Sequence, residues 1–574
     1  MLSVEQIAAR LADRFRLLTG GPKKTSPRHQ TLRAPLDWSY DLLSEHERAL
    51  MRRLSVFAGG STLETIEAIC APEGVESSRI LDLLGRLVDK SLLLAEPDAR
   101  ETRYRLLETV RQYAQDKLVE EGIADRVRRA HRDRYLALAE KAAPELHGSK
   151  SDLWMERLET EHDNLRAALE WSRRDPGGAE AGLRLASALE RFWYFRGHWD
   201  EALRWLEAAL TRSSGAPRSA VPKVLFGLVY IAWHRGDTSR ASTLSEEGLL
   251  ISREIGDEES YVACLYISSL ARFTDEVVRN EQFYERATRQ LEKTVSLSRE
   301  AGIGWVSALA LATLGWLAMA QHNYDRAKSI HAESLHLFQR IGGIWYIAYA
   351  LRNLGYVALL QGDHDEAARL LRESLMLCRR AGYRWLSEEC LEGLAIVASV
   401  KRDYPRAARL FGIAELWREI LGQSSPRFVP LGAPDIHDRQ VAAVRTALGD
   451  AAFAAAVAEG RAMTLEEAAE YALATAELEE AGEQRPRADR HSLTIREREV
   501  VRLVARGLTN REIAATLVVS ARTADAHVQN ILNKLGFNTR AQVAAWAVER
   551  GLTGDLEAET SALRTRPSQA RQAT

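Results

Sequence analysis

Cysteine is scarce: Cys70, Cys264, Cys378 and Cys390 are the only four in 574 residues. None forms a C-x-x-C pair, which excludes a disulfide framework and a zinc knuckle as organising devices and suits a reducing compartment. Long apolar runs are missing too. The most apolar stretch, Trp305–Ala320, is too short and too interrupted to span a bilayer and is expected to be a buried helix. The N-terminus lacks the basic start, apolar run and small-residue cleavage site of a signal peptide. A cytoplasmic location without a membrane partner is expected. A phosphate-cradling G-x-x-x-x-G-K-[ST] string is absent. Gly20-Gly21-Pro22-Lys23-Lys24-Thr25 holds glycines, lysines and a hydroxyl in the wrong register, so ATP hydrolysis by this chain is not expected. No catalytic constellation stands out. His162-Asp163 and His364-Asp365 fall on predicted helices with no serine or cysteine nucleophile beside them. The expectation is a chain that is not an enzyme, with no catalytic residue, cofactor or metal assigned.

What is present is helical periodicity. Apolar residues recur at helical spacing almost throughout, so the fold class is mainly α. Residues 31–120 hold several short helices and two candidate strands, Ser91–Ala95 and Arg103–Leu107, separated by Glu96-Pro97-Asp98. Helices followed by such a hairpin read as a winged helix. From about 190 to 422 the chain repeats itself. Ala202, Ala241, Ala287, Ala327, Ala367 and Ala407 recur at a spacing of about 40, and Gly256, Gly302, Gly342, Gly382 and Gly422 keep the same beat. Such a period means stacked two-helix units, each covering its neighbour's apolar face. The alanine permits close helix approach, and the glycine suits the left-handed residue that ends a helix. This α-solenoid resembles tetratricopeptide repeats in a version longer than 34 residues. Trp305, Trp345 and Trp385 follow three of the glycines. With Trp193, Trp199 and Trp205 they either pack the repeats or line a groove.

Net charge is −2, but its distribution is uneven. Residues 490–551 hold ten basic against five acidic residues, a surplus of five on a body that carries −7. A basic module on an acidic body suggests polyanion binding. The same stretch is punctuated like four short helices. Thr494 with Glu497, Thr509 with Glu512 and Thr539 with Gln542 form capping boxes, and Ser520 caps the helix between the last two. Gly507, Gly536 and Gly551 stand where helices should stop. Asn510–Leu517, a tight turn at Val518-Val519-Ser520, and Ala521–Leu535 make a helix, turn and helix. On the second of these helices Ala524, Val528, Ile531, Leu532 and Leu535 form an apolar stripe, expected against Val500, Val504, Ile513 and Leu517. Arg522, Asp525, Ala526, Gln529 and Asn533 form the opposite stripe, free to enter a major groove.

Here the sequence strongly resembles the bacterial LuxR-type DNA-binding domain. The matching residues are Leu493-Thr494, Arg496-Glu497-Arg498-Glu499-Val500, Gly507-Leu508-Thr509-Asn510-Arg511-Glu512-Ile513-Ala514, Ser520, Arg522-Thr523, His527-Val528, Asn530-Ile531 and Lys534-Leu535. The resemblance implies that Asp525, Ala526 and Gln529 face base edges. Thr509, Asn510, Arg522, Thr523 and Lys534 would sit near phosphates, with Arg511, Ser520 and Asn530 completing the DNA-binding set. It also implies double-stranded DNA as partner and a homodimer on DNA. Two departures matter. Ala524 replaces the usual valine, and Asp525 and Gln529 stand where basic residues are common. Gln529 can still pair with adenine and Asp525 can accept from cytosine N4, but an acid near phosphates lowers the electrostatic part of affinity.

The N-terminal region resembles the winged helix that follows the nucleotide-binding core of STAND-class ATPases. The carriers include Leu36-Asp37-Trp38-Ser39-Tyr40-Asp41-Leu42-Leu43, Leu54-Ser55-Val56-Phe57-Ala58-Gly59-Gly60, Leu87-Val88-Asp89-Lys90-Ser91-Leu92 and Tyr104-Arg105-Leu106-Leu107-Glu108-Thr109-Val110-Arg111. The resemblance leads to the expectation that the catalytic half is missing here, either because the motor was lost or because the start codon is placed too far downstream. The expected divisions are 1–30, the end of a lost nucleotide-binding core; 31–125, winged helix; 126–425, repeats; 426–478, helical extension; 479–490, linker; 491–553, helix-turn-helix; and 554–574, disordered tail. The repeats would receive an unidentified small-molecule or protein effector. The competing readings are a repeat-based interaction scaffold and an ATP-driven switch completed by an upstream domain.

Overall fold

The computed structural model describes residues 33–71, 79–97, 101–213, 215–271, 281–420, 436–474 and 495–517, and a subset of positions from 525 to 549. The expected lost-core segment 1–30, the linker and the tail fall outside the described residues. The chain forms two compact units, residues 1–473 and 474–574.

The first unit opens with short helices whose starts are written in their caps. Ser44 and Glu47 close a capping box ahead of Glu45–Leu54, the Ser44 amide donating to Glu47 Oε2 at 2.7 Å. Thr62 accepts from the Thr65 amide to start Leu63–Cys70. A three-stranded antiparallel sheet in the order β1-β3-β2 follows from β1 (Ser61–Thr62), β2 (Leu93–Pro97) and β3 (Thr102–Leu106), with Ala95 and Ser61 both opposite Tyr104. The hairpin is the expected one with its bounds moved. Ser91 sits at φ 56°, and its amide bonds Val88 O while Leu92 bonds Leu87 O. It therefore ends the preceding helix in a left-handed conformation and cannot be extended strand. Pro97 is tolerated in β2 as the last residue of an edge strand.

Antiparallel helix pairs then run from Ala124–Ala142 to Tyr404–Ile420. The alanine beat lands inside: Ala202, Ala241, Ala287, Ala327, Ala367 and Ala407 are all buried. Gly256, Gly302 and Gly382 end their helices at φ 70°, 71° and 74°, and Gly342 lies at 92°. Gly422 falls outside the described residues. Trp305–Ala320 lies within the helix Gly304–Ala320, whose residues Val306 to Met319 are all buried. Among the described residues no single helix is long and apolar enough to cross a membrane.

Asn323, Asp363 and Asp403 mark a further 40-residue beat. Each side chain accepts from the backbone amide three residues on, at 3.1–3.2 Å. The extension Ile436–Leu448, Asp450–Arg461 and Leu465–Leu473 packs on the last repeat. A Cβ on Gly412 would lie 2.3 Å from Val457 O, and one on Gly460 only 2.1 Å from Arg409 O, so these two helices touch backbone to backbone.

Among the described residues, much of the inner side of the repeats is filled by rings. The aromatic run Phe192–Phe195, on helix Ala179–Arg196, is buried among rings far along the chain. Phe195 stacks on Trp345 at 4.6 Å, and Tyr194 lies 5.7 Å from Trp385. Arg196 Nη1 donates to Ala381 O at 2.7 Å, and the Tyr383 hydroxyl donates to Asp152 Oδ1 at 3.1 Å. Of the tryptophans expected either to pack or to line a groove, Trp193, Trp199, Trp345 and Trp385 are packed. Trp305 borders a cavity. All four cysteines are free and buried.

Candidate nucleic-acid interface

The C-terminal unit is organised by its helix starts. Helix Ile495–Ala505 ends at Gly507, which takes φ 83° so that the chain can turn back. Thr509 opens helix Asn510–Leu517 with the expected box: its amide and its hydroxyl donate to Glu512 Oε2 at 2.7 and 2.8 Å, and the Glu512 amide returns to Thr509 Oγ1. These bonds hold the exposed Glu512 carboxyl below its ordinary range. Thr539 and Gln542 repeat the device ahead of helix Arg540–Glu549. The third box, Thr494 with Glu497, lies outside the residues whose side chains are described.

Between the second and last helices, Asp525, Val528, Gln529, Ile531 and Leu532 are helical. Val528 and Ile531 are buried in one cluster with Val500, Val501, Val504, Ile513, Val543 and Ala547, and Leu532 packs against its edge. Val528, Ile531 and Leu532 of the expected stripe thus meet Val500, Val504 and Ile513 of the expected neighbours, while Ala524, Leu535 and the Leu517 side chain lie outside the described residues. Asp525 and Gln529, one helical turn apart, are both exposed. One side of this helix therefore builds the core while its neighbouring side carries an acid and an amide to solvent.

Hydrogen bonds the sequence did not suggest tie this side to the rest. Asn510 Nδ2 donates to Asp525 Oδ1 at 2.8 Å. Arg540 Nη1 donates to Asn510 Oδ1 at 2.6 Å, and its Nη2 donates to Leu508 O. A chain of guanidinium, amide and carboxylate thus links three helices. Burial holds the Arg540 guanidinium below its ordinary value. One Asp525 oxygen is therefore occupied from within the fold. The Thr509 amide and hydroxyl are likewise committed to Glu512, so at this helix end only the amides of Asn510 and Arg511 lie outside the box. Arg511 is helical, with its side chain outside the description. Ser520, Arg522, Thr523, Ala526, Asn530 and Lys534 lie outside the described residues.

For Arg540 the sequence holds a sign that a partner is needed, but not which one. A cation in the first turn of a helix opposes the helix dipole, and such a residue needs a partner to explain it.

Residues 491–547 match the bacterial regulatory proteins of the luxR family. Residues 43–119 match a winged helix-turn-helix domain, and residues 306–380 match the tetratricopeptide repeat. A Mycobacterium tuberculosis protein provisionally named an HTH-type transcriptional regulator is 39% identical over 273 residues, 46% of this chain and 30% of the relative. The uncharacterized transcriptional regulatory protein YhcZ of Bacillus subtilis is 42% identical over 66 residues, 12% of this chain and 31% of that protein. The chain thus spans about a third of the length of the curated relatives it matches. A STAND protein with a tetratricopeptide repeat sensor from Pyrococcus horikoshii aligns with 80% of this chain and 72% of its own, at 14% identity and a TM-score of 0.39, and nothing further follows from that likeness. Along the chain, a winged helix-turn-helix match and a tetratricopeptide-repeat match thus precede a C-terminal match to the bacterial regulatory proteins of the luxR family.

Proposed function

We propose that the chain is a one-component transcription regulator that reads duplex DNA with the helix bearing Asp525 and Gln529. The carrying observation is the two-sided burial of that helix: Val528 and Ile531 inside, Asp525 and Gln529 at the surface. Gln529 is the direct reader, pairing through its amide with adenine. Asp525, with one oxygen held by Asn510, offers its other to a cytosine N4. Ala526 gives apolar contact, and Asn530 borders the same groove. The backbone amides of Asn510 and Arg511, at the helix end that Thr509 fixes through its box with Glu512, position the module on phosphates together with Ser520, Arg522, Thr523 and Lys534, and these contacts set register rather than sequence. The domain acts as a homodimer in the cytoplasm. Its divisions fall near residues 125, 425 and 490, and the repeats receive an effector, small molecule or protein. The reading assigns no catalytic step.

A mobility-shift titration at several salt concentrations tests this. Affinity should fall steeply as salt displaces phosphate contacts, while preference for one sequence persists. Gln529→Ala should relax preference at one base pair by roughly 1–3 kcal/mol. Lys534→Ala should weaken all duplexes about equally. Parent-like binding by both variants sinks the assignment.

A further inference from the structure

Helix Ala179–Arg196 carries Glu190 and Arg191 to the wall of a cavity of about 700 Å³ inside the first unit. Arg191 is 3% exposed. Its guanidinium lies 4.4 Å from the centre of the Phe226 ring and 4.6 Å from that of Trp305. The two ring centres are 6.1 Å apart, so the rings flank the guanidinium on adjacent sides, close to a right angle from one another. Arg191 Nε is 3.1 Å from Glu190 Oε1, but in geometry that makes no hydrogen bond. Arg191 Nε and Nη2 and Glu190 Oε2 are buried without a hydrogen-bond partner among the described residues. The surroundings are fixed. His147 stacks on Trp305 at 4.4 Å and shares a 2.7 Å hydrogen bond with the Tyr346 hydroxyl. Gly227 leaves room for Glu190, whose Cβ would stand 3.2 Å from a Cβ at that position.

A buried ion pair seldom stabilises a fold more than apolar residues of equal volume would, and unfilled hydrogen-bonding capacity costs more. A structural pair in this same unit shows the contrast. Glu161 accepts from Arg103, Tyr135 and Asn164, and Arg103 also bonds Gly60 O. The Glu190–Arg191 pair lacks such support, yet it borders a cavity of a size that holds small ligands.

We propose that this cavity is a receptor for a free α-amino acid with a large apolar or aromatic side chain. Its carboxylate takes up the unpartnered N–H groups of Arg191 and its ammonium faces Glu190. The side chain lies along the apolar wall formed by Pro144, Pro217, Pro222 and Ala263. The adjacency of the two protein charges selects this class. An α-amino acid carries both of its charges on one carbon, whereas each residue of an extended peptide moves its two ends apart by about 3.3–3.6 Å. The proposal rests on the regulatory reading only in making occupancy the signal; binding itself is measured without DNA.

The test is calorimetric titration and thermal shift of the full chain with L-phenylalanine and L-leucine. 3-Phenylpropanoate, phenethylamine and the dipeptide of two phenylalanines are the comparison probes. Binding of L-phenylalanine at up to about 10 mM, with each single-charge analogue and the dipeptide at least about tenfold weaker, is expected. The variant Glu190→Gln with Arg191→Met should melt at or above the parent and lose binding by at least about tenfold. Silence of both amino acids, tighter binding of the dipeptide, unchanged binding by the double variant, or a melt well below the parent each overturns the proposal. A chain that binds DNA as proposed but ignores the amino acids refutes the cavity alone; the reverse result refutes the DNA reading alone.

Discussion

Arg540 stands in the first turn of its helix, the end where a cation is least welcome, and its bonds to Leu508 O and Asn510 Oδ1 are what hold it there. Arg540→Met should remove both and leave the Asn510 amide less fixed. The cost should be about 2 kcal/mol of local stability, typical of charge-assisted bonds. Faster amide hydrogen exchange confined to residues 495–549 of the full chain would report it, and an unchanged pattern would count against the clamp. The capping boxes of Thr509 and Thr539 were legible because their partners lie three residues away on the same turn. The Arg540–Asn510–Asp525 chain was not, because its links span 30 and 15 residues and exist only once three helices have packed. For the same reason the sequence placed Asp525 on the outward stripe without showing that one of its oxygens is already occupied.

Within the repeats, the turn before each capped helix needs a left-handed residue. Gly236 and Gly362 supply it at φ 77° and 82°, whereas His322 and Arg402 hold the equivalent places at φ 58° and 67°. A side chain there costs roughly 1–2 kcal/mol, and glycine's extra freedom when unfolded returns about 0.5–1 kcal/mol of that. Arg402→Gly should therefore stabilise the chain by roughly 0.5–1 kcal/mol, read as a higher urea midpoint; a lower midpoint would show that Arg402 contributes more than conformation. Gly460→Ala should act oppositely. Its Cβ would meet Arg409 backbone 2.1 Å away, so the helices must part at a cost of about 1–3 kcal/mol. The alanine and glycine beats were readable because helix contact and helix ending depend on single residues. The strand bounds were less so: Ser91 carries no sequence mark of its left-handed backbone, and Pro97 is tolerated as the last residue of an edge strand.

Across the whole chain, the repeats were legible as a stack, but the filling of their inner sides was not. Nothing local ties Phe192–Phe195 to Trp345 and Trp385, which lie far along the chain. That interior also makes stability depend on pH. Burial pushes Glu389 up to about 7 and Glu388 up to about 8, against the pull of Arg352 and Arg418. It drives His131 down to about 4, and His234 and His331 to about 3. The raised carboxyls keep protons that the unfolded chain releases near pH 4.3, so their contribution is lost as pH rises through about 7 to 8. The histidines stay neutral in the fold while the unfolded chain charges below about pH 6.5, so their penalty grows as pH falls. The two trends oppose each other between about pH 4.5 and 6.5, and above that the carboxyls act alone. The urea midpoint should fall from about pH 6.5 to 8, and Glu388→Gln should flatten that fall; an equal slope in the variant would locate the effect elsewhere. The thiols offer a different use of the same interior. Cys70, Cys264, Cys378 and Cys390 are all enclosed, and Cys264 is held up to about 12 by burial. Native protein should therefore ignore alkylating reagents, and the slow labelling of each sulfur becomes a clock for the breathing of its own stretch of the stack.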